Sequence, residues 1–493
     1  MLGSLLAHTS KYSIGSFFIT LASFISFPIF TRLFTVEEYG ILNLVSATLL
    51  LLAGLAKLGV QNSIVRFYAE IGGGRLAGTQ RQFYSTVLLS MGASGLGVAI
   101  AWAVVSQAIP ATWWNDVRVA GLLLLTSVLV FVRVIESALV NILRAQQRSG
   151  MFSLYSVLRK YFELGAVLLT LFLLLPGLVG LYLATIVAEV LAVAVLGWFV
   201  IRKVSISTRA FNPELSRAML AFGIPLIASD LGGTVLNVGD RYVIQMMLGG
   251  EALGIYSAAR NVCDYVQGIL IASVGRAIVP MYVRMWEERG EAESRHFIER
   301  SLRIYIIIGV AVVAGLTAVG EEILNVLASE KYREGHRLIF FLIAGLVVEG
   351  GTSIFGAGLY VFKQTRVLMW SVVACAIVNI ALNLAMMPFF GIKGAAIATL
   401  VSYSLLAILL YRFSARRLPI AFPVRDFLKF TAIAWVMYEI VLRVAIPAPG
   451  LGLALKIAVG IAVYGALLLA VDRSAREATL GLMARLRSRQ GKW

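Results

Sequence analysis

The sequence predicts an all-α polytopic membrane protein, and three observations support this fold class. The 493 residues are 59% hydrophobic and only 14% charged, and the mean hydropathy is +0.87. The apolar residues form fourteen long stretches joined by short loops, and a bilayer core about 30 Å thick requires about 20 apolar residues per helix. The stretches are also too long and too continuous for the alternating strands of a membrane barrel.

The fourteen predicted helices occupy most of the chain, which leaves little room for a soluble catalytic domain. The first is too long for the apolar region of a secretory signal and lacks a small-residue cleavage site, so it is predicted to span the membrane. In order, the helices are expected at residues 12–33, 38–67, 82–106, 118–143, 152–175, 177–201, 215–248, 252–282, 297–318, 335–361, 366–387, 391–413, 426–446 and 451–471.

The basic residues are distributed unevenly along the chain. The sequence has 43 lysines and arginines against 26 acidic residues, for a net charge of +17. If the N-terminus is cytoplasmic, most of the basic residues fall on inner loops and helix ends, as the positive-inside rule requires. Both termini are therefore predicted to be cytoplasmic, with a basic tail at residues 473–493 against the anionic leaflet. The charge indicates topology rather than nucleic-acid binding.

The sequence also repeats itself at an offset of 214 residues. Six predicted helices separate the copies, so both copies have the same membrane orientation. The repeat predicts one six-helix lobe at residues 1–203, a second at 204–417 and two added helices at 418–472. Parallel repeats of this kind are a transporter arrangement with the site between the halves; the alternative is an old duplication without a transport role. Residues that recur 214 positions later are Glu37, Gly40, Ile41, Ile64, Val65, Tyr68, Gly177, Gly180, Ala184 and Thr185.

Motifs for soluble enzyme chemistry are absent from the sequence. There is no nucleotide-binding P-loop, no H-E-x-x-H and no C-x-x-C, and the three histidines lie near helix ends or in loops. The two cysteines, Cys263 and Cys375, lie within predicted helices and are interpreted as small hydrophobic residues. We therefore predict no enzyme activity, no metal and no cofactor, with H+, Na+ or the membrane potential as the energy source.

The candidate functional residues are polar side chains within or next to the apolar segments. A charge at the centre of a membrane helix costs at least about 2.5–3.5 kcal/mol, so it should face a cavity or a partner. Basic residues on several helices suggest a cationic cavity for an anionic head group such as a diphosphate: Lys57, Arg66, Arg133, Arg241, Arg260 and Arg32. The acidic candidates for ion pairing or coupling are Glu136, Asp240, Asp264 and Glu349. The polar cavity candidates are Gln61, Asn62, Asn237, Asn379 and Asn383.

Structural roles compete with these functional ones. Arg133 and Glu136 are three residues apart, and Arg260 and Asp264 four apart, so each pair could neutralise itself along one helix. Lys57 has no acidic residue nearby in the sequence, which makes it the better candidate for a water-filled cavity. The other competing roles are helix-end anchoring for Arg32 and Arg66 and interhelical hydrogen bonding for Asn379 and Asn383.

Several segments resemble one family of membrane transporters. Residues 27–40, FPIFTRLFTVEEYG, resemble the signature corner of bacterial Wzx-type polysaccharide flippases, and SIVRFY at 63–68, DRYVI at 240–244 and GIYSAA at 254–259 resemble its further segments. This family lies in the multidrug/oligosaccharidyl-lipid/polysaccharide exporter superfamily. The resemblance implies a V-shaped, MATE/MurJ-like bundle of two lobes, cationic cavity residues at Lys57, Arg241 and Arg260, and a lipid-tail groove at the last two helices.

The function that this resemblance implies is lipid flipping in the bacterial inner membrane. The substrate would be an undecaprenyl-diphosphate-linked oligosaccharide, moved to the periplasmic leaflet by alternating access for O-antigen, capsule or exopolysaccharide synthesis. Expected partners are this substrate, membrane lipids, a polysaccharide polymerase and glycosyltransferases. The alternatives are a lipid II flippase, a multidrug/cation antiporter of the same superfamily and a membrane glycosyl-transferring enzyme. The basic excess argues against cationic drugs, and the short outer loops argue against the enzyme.

Overall fold

The structure, a computed structural model, describes residues 2–76, 78–202, 206–444 and 449–477, with all side chains in these ranges except those of residues 2–14, 111, 225, 270–277 and 449. Most of the predicted basic tail, residues 478–493, and the predicted helix end at 445–446 lie outside the described residues. The helices are α1 Leu2–Leu33, α2 Val36–Ala56, α3 Val60–Gly72, α4 Gln80–Ala108, α5 Val117–Ala145, α6 Ser149–Leu173, α7 Leu178–Ile201, α8 Pro213–Val266, α9 Ala272–Arg289, α10 Glu291–Ala318, α11 Gly320–Leu327, α12 His336–Gly350, α13 Thr352–Phe355, α14 Ala357–Val361, α15 Thr365–Phe390, α16 Ile392–Ala415, α17 Val424–Leu442 and α18 Pro449–Val471.

Many of these helices are long and apolar enough to cross a bilayer. Within the described residues there are ten such helices, or eleven if the bent pair Pro213–Ile224 and Leu226–Ile269 counts as one span. The all-helical polytopic membrane fold is therefore confirmed, whereas the count of fourteen spans and the lobe boundaries stay a prediction. The ten spans are Gly15–Leu33, Val36–Gly72, Gln80–Ala108, Val117–Ala145, Leu178–Ile201, Glu291–Ala318, Glu330–Phe355, Thr365–Phe390, Ile392–Ala415 and Gly450–Val471.

The corner between α1 and α2 is fixed by a capping box. The Thr35 hydroxyl accepts a hydrogen bond from the Glu38 backbone N–H at 3.1 Å, and the Glu38 carboxylate accepts one from the Thr35 N–H at 3.0 Å. This reciprocal pair satisfies two backbone groups that a helix start leaves open. The FPIFTRLFTVEEYG segment therefore ends one membrane helix and begins the next without an intervening loop.

The first turn of α2 meets α8 next to a break in that helix, where Gly249 has non-helical backbone with φ 84°, at a contact that only glycine permits. A Cβ on Gly40 would lie 2.1 Å from the Gly250 carbonyl oxygen, and a Cβ on Gly254 would lie 2.0 Å from the Val36 carbonyl oxygen. Gly40 and Val36 lie 214 residues before Gly254 and Gly250, so each copy of the repeated segment makes the same contact with the other. Reciprocal contacts of this kind are expected where the two copies of a sequence repeat pack against each other.

Replacement of Gly40 by alanine should destabilise the protein by about 1–3 kcal/mol, because the new methyl group would force the two backbones apart. A matched control is Gly97→Ala in α4, where an added Cβ meets no atom within 4 Å. Thermal unfolding of both variants in the same detergent tests this, and equal midpoints for Gly40→Ala and the wild type would contradict the close crossing.

The chain forms two compact units. Unit 1 comprises Met1–Ser257 with Val372–Ala395, and unit 2 comprises Ala258–Ser371 with Ala396–Trp493. In unit 1, α5 is the central helix and packs against α2, α3, α4, α6 and α7. This position explains why the polar residues of α5 face other helices instead of lipid.

In unit 2, ion pairs hold α18 at both ends. Near its beginning, the Lys456 ammonium pairs with Glu322 of α11. Just beyond its end, the Asp472 carboxylate accepts hydrogen bonds from Arg303 at 2.6 Å and Lys429 at 2.5 Å. Burial opposes ionisation of Asp472, but the hydrogen bonds from Lys429, the Ala475 backbone and Arg303 outweigh it and lower the pKa of Asp472 to about 2. The carboxylate is therefore charged at neutral and mildly acidic pH.

Candidate functional site

Unit 1 contains an open cavity of about 640 Å³ between α1, α2, α3, α5, α6, α7 and α8, which we call the unit 1 cavity. It brings together polar side chains from helices that are otherwise apolar. Among the described side chains that line it, five are basic and four are acidic. The basic residues are Lys57, Arg133, Arg144, Arg159 and Lys160, and the acidic residues are Glu136, Glu163, Glu189 and Asp230.

Lys57 reaches the cavity because the membrane helix is broken at this point. The sequence predicts one helix over 38–67, but α2 ends at Ala56 and α3 begins at Val60. The break has left-handed backbone at Leu58, with φ 48°, and at Gly59, with φ 70°. A Cβ on Gly59 would lie 2.2 Å from the Gly223 carbonyl oxygen of α8, so glycine is required both by the backbone angle and by the space.

The Lys57 ammonium makes no ion pair with any residue that the structure describes. The side chain is only part-exposed and lies at the middle of a 37-residue apolar span. An unpaired cation at such a depth is costly unless water or an anionic ligand reaches it. The geometry therefore leaves one charge of the cavity wall available to a ligand.

Other charges of the cavity wall form a network across α5, α6 and α7, in which Glu189 is buried and Arg133, Arg159 and Glu136 are part-exposed. Arg133 binds Glu189 through two nitrogens, at 3.1 Å from Nε and 2.9 Å from Nη2. Arg159 contacts Glu136 at 3.0 Å and Glu189 at 3.2 Å, and the Tyr155 hydroxyl donates to Glu136 at 3.2 Å. The interpretation that Arg133 and Glu136 pair with each other is wrong, because Arg133 pairs with Glu189 of α7 and Glu136 pairs with Arg159 of α6.

Three cations of the cavity were missed by the sequence analysis. Arg144, Arg159 and Lys160 lie near predicted inner helix ends, where basic residues indicate topology. Arg144 lies over the Phe152 ring at 4.5 Å, and Lys160 lies 3.5 Å from Glu163. For Arg159, helical spacing was the available indication of a site: Arg159 and Glu163 are four residues apart and share a face of α6.

Of the other predicted residues of unit 1, all but one lie outside the lining of the cavity. Arg66 is exposed and pairs with Glu70 at 2.8 Å, and the buried Asp240 carboxylate accepts a hydrogen bond from Tyr256. Gln61, in contrast, lines the cavity. The residues outside it are Arg32, Asn62, Arg66, Asn237, Asp240, Arg241, Asn379 and Asn383.

Three of these residues make contacts that favour a structural role. The Asn383 amide donates to the Asn379 carbonyl oxygen at 2.8 Å, and both side chains are fully buried. Asn62 lies at the border of the cavity, where its amide donates to Asp230 at 3.2 Å.

Three predicted residues lie in unit 2. Arg260 is 1% exposed and pairs with Asp264 at 2.9 Å, as the four-residue spacing predicted. The Gln267 amide donates to Glu349 at 2.9 Å. Gln267 begins a π-helical turn, and α12 ends just after Glu349 at Gly350, so this hydrogen bond joins two interrupted helices.

Comparison with known proteins places the chain among membrane transporters. The family model for "Polysaccharide biosynthesis protein" matches residues 5–286, and the model for "Lipid II flippase MurJ" matches residues 242–459. The two matches overlap and together extend over most of the chain.

Two curated relatives carry names from glycan transport. "Probable low-salt glycan biosynthesis flippase Agl15" of Haloferax volcanii is 22% identical over 55% of this chain and 56% of its own length. A protein of Shigella flexneri, provisionally named O-antigen transporter, is 24% identical over 46% of this chain and 53% of its own length. The chain thus matches about half the length of each of these relatives.

Solved structures share the fold. An inward closed conformation of the lipid II flippase MurJ matches 94% of this chain and 99% of its own chain, with a TM-score of 0.78 and 17% identity. An inward-facing multidrug resistance MATE family transporter matches 83% and 98%, with a TM-score of 0.67 and 16% identity. At such identities the likeness concerns the fold, and it agrees with the MATE/MurJ-like bundle expected from the sequence.

Proposed function

The chain belongs to the polysaccharide biosynthesis protein family, and from this premise we propose that it is a flippase for an undecaprenyl-diphosphate-linked oligosaccharide. It moves this substrate from the cytoplasmic to the periplasmic leaflet of the bacterial inner membrane by alternating access between two lobes, for O-antigen, capsule or exopolysaccharide synthesis. Both termini are cytoplasmic, and the protein is a transporter rather than an enzyme. A polymerase and glycosyltransferases act on the same glycan.

The observation that carries this proposal is the unpaired Lys57 ammonium in the wall of the unit 1 cavity. A diphosphate presents oxygens that an ammonium binds as a point charge and that a guanidinium binds bidentately. Arg144 lies on the same cavity wall and makes no ion pair within the described part of the chain. Lys57 and Arg144 supply the anion-binding groups, while Gln61 and Asn141 supply polar groups for sugar hydroxyls.

The opening and the charged lining of the unit 1 cavity also suit a lipid-linked substrate. A lipid tail remains in the bilayer while only its head group enters the polar cavity, and the cavity is open rather than enclosed. The charged lining of both signs suits a hydrated head group, whereas an apolar drug would be held by hydrophobic walls. These features favour lipid-linked glycan over the multidrug/cation antiporter.

Replacement of Lys57 by alanine should lower glycan export about tenfold or more, because one charge-assisted contact to phosphate is lost. The measurement is accumulation of undecaprenyl-linked glycan, together with surface polysaccharide, in a strain that lacks the chromosomal copy. Lys57→Arg should retain more export than Lys57→Ala, and the exposed Lys331→Ala, in the loop before α12, serves as the control. Full export by Lys57→Ala at a normal protein level would overturn the proposed site.

Lipid II is the second candidate substrate, because the MurJ model matches residues 242–459. Lipid II is also an undecaprenyl-diphosphate-linked glycan, so the cavity argument applies to it equally. Complementation of a strain depleted of its lipid II flippase separates the two: growth would assign lipid II, and lysis together with restored surface polysaccharide in the first strain would assign the polysaccharide precursor.

A further inference from the structure

We propose that binding of the diphosphate head group in the unit 1 cavity is coupled to the uptake of one proton by Glu136, with Arg159 as the residue that links the two events. This inference rests on the proposed function and names the coupling ion and its acceptor. In the free cavity Arg159 pairs with Glu136; in the complex it binds phosphate, and the released carboxylate takes a proton from water.

The first argument is charge balance. The described side chains of the cavity wall carry one more positive than negative charge: Lys57, Arg133, Arg144, Arg159 and Lys160 against Glu136, Glu163, Glu189 and Asp230. A diphosphate that joins a lipid to a sugar carries a negative charge on each phosphate, so binding leaves one negative charge in excess. Uncompensated charge is costly at membrane depth. Uptake of one proton by a carboxylate restores neutrality.

The second argument identifies which carboxylate accepts the proton. Glu189 is held by two guanidiniums, Arg133 with two contacts and Arg159 with one. Among the described residues, Glu136 has only Arg159 as a cationic partner, at 3.0 Å. When phosphate draws Arg159 away, Glu189 keeps Arg133, whereas Glu136 keeps no ion pair within the described part of the chain. Binding of phosphate therefore destabilises the ionised form of Glu136 more than that of Glu189.

The third argument concerns what stabilises the protonated form. The Tyr155 hydroxyl contacts a Glu136 oxygen at 3.2 Å, and a hydroxyl both donates and accepts. It can donate to the carboxylate and accept from the carboxylic acid, so neither protonation state leaves an unsatisfied group. The ionisable groups that line the cavity around Glu136 are Arg133 and Arg144 of α5, Arg159, Lys160 and Glu163 of α6, Glu189 of α7, Lys57 at the end of α2 and Asp230 of α8, with Tyr155 in direct contact.

The coupling makes one proton travel together with each substrate. The proton enters Glu136 as the substrate binds, and it leaves when the diphosphate departs and Arg159 returns to the carboxylate. The step balances without a further co-reactant: a hydronium ion of the aqueous phase gives up one O–H bond as the Glu136 carboxylate forms one, and the proton returns to water when the carboxylate is released. Linkage requires that affinity and proton binding change together, so substrate binds more tightly as the pH falls.

Calorimetry on the purified full-length protein in lipid nanodiscs tests this proposal. The probe is farnesyl-diphosphate-linked N-acetylglucosamine, titrated at one pH in two buffers of different ionisation enthalpy. We expect uptake of about one proton per probe and a loss of affinity of about tenfold per pH unit while free Glu136 is ionised. Glu136→Gln should bind the probe with no proton uptake, whereas Glu163→Gln, a lining carboxylate paired with Lys160 on the same helix, should keep the uptake.

The outcomes separate this inference from the proposed function. Wild-type binding without proton uptake, or uptake that persists in Glu136→Gln, overturns the coupling and leaves the flippase proposal standing. Binding that depends on Na+ and not on pH also overturns it. Failure of the wild type to bind the probe at any pH removes both proposals. If Glu136→Gln fails to fold, Arg159→Gln provides the second variant, and there binding of the probe should take up no proton, because Glu136 has no ion pair to lose.

Discussion

Replacement of Glu189 by leucine should lower the free energy of unfolding by about 1–3 kcal/mol, because it leaves the part-buried Arg133 guanidinium without its ion-pair partner. Glu189 is 1% exposed and accepts contacts from two arginines, of which Arg133 has it as its only close acid among the described residues. Without Glu189, Arg133 would be an unpaired cation on the central helix of unit 1. Reversible unfolding in mixed micelles measures this change.

The double variant Arg133→Leu with Glu189→Leu is the informative control. It removes both charges, so most of the loss should be recovered, and the difference between the two variants gives the cost of the stranded cation. Recovery would show that each charge of the pair stabilises the fold only when its partner is present. Equal stability of the single variant and the wild type would mean that water already solvates these groups, which contradicts the ion-pair network.

Hydropathy predicted the membrane helices well, because the cost of exposing polar backbone to lipid constrains them strongly. It did not predict the break at Lys57–Gly59, since an apolar stretch of 37 residues conceals an interruption of three. Gly59 was the available signal, because an isolated glycine in a helical pattern often marks a close approach of backbones. The capping box at the corner of residues 27–40, in contrast, corresponds to a T-x-x-E pattern at Thr35 and Glu38 that is recognisable in the sequence.

The pairing of charges could not be obtained from one sequence. Spacing places Arg133 and Glu136 on one face of α5, but it says nothing about Glu189, which lies on another helix and more than fifty residues away. Ion pairs between helices depend on the packing of those helices, and packing is settled by many apolar contacts at once. For the same reason, the sequence identified four lining residues as candidates but did not show that they share one cavity. These residues are Lys57, Gln61, Arg133 and Glu136.

Replacement of Gly59 by alanine should reduce glycan export about as far as Lys57→Ala does. An alanine with φ near 70° costs about 1–2 kcal/mol, and its Cβ would lie 2.2 Å from the Gly223 carbonyl oxygen. The break must then move away from α8 and carry the Lys57 backbone with it. Export is measured in the same deletion strain, with protein level checked in parallel. The control is Gly72→Ala at the end of α3, where no atom lies within 4 Å of an added Cβ.

A double-variant cycle decides whether Gly59 acts through Lys57 or only through stability. Affinity for the farnesyl-diphosphate-linked probe is measured for the wild type, for each single variant and for the two changes combined. If Gly59 positions the Lys57 ammonium, Gly59→Ala weakens binding in the wild-type background and has little further effect once Lys57 is alanine. Additive losses would instead assign Gly59 to general packing between α3 and α8. Because the folded, purified fraction is what binds the probe, a lower yield of the variant does not affect this comparison.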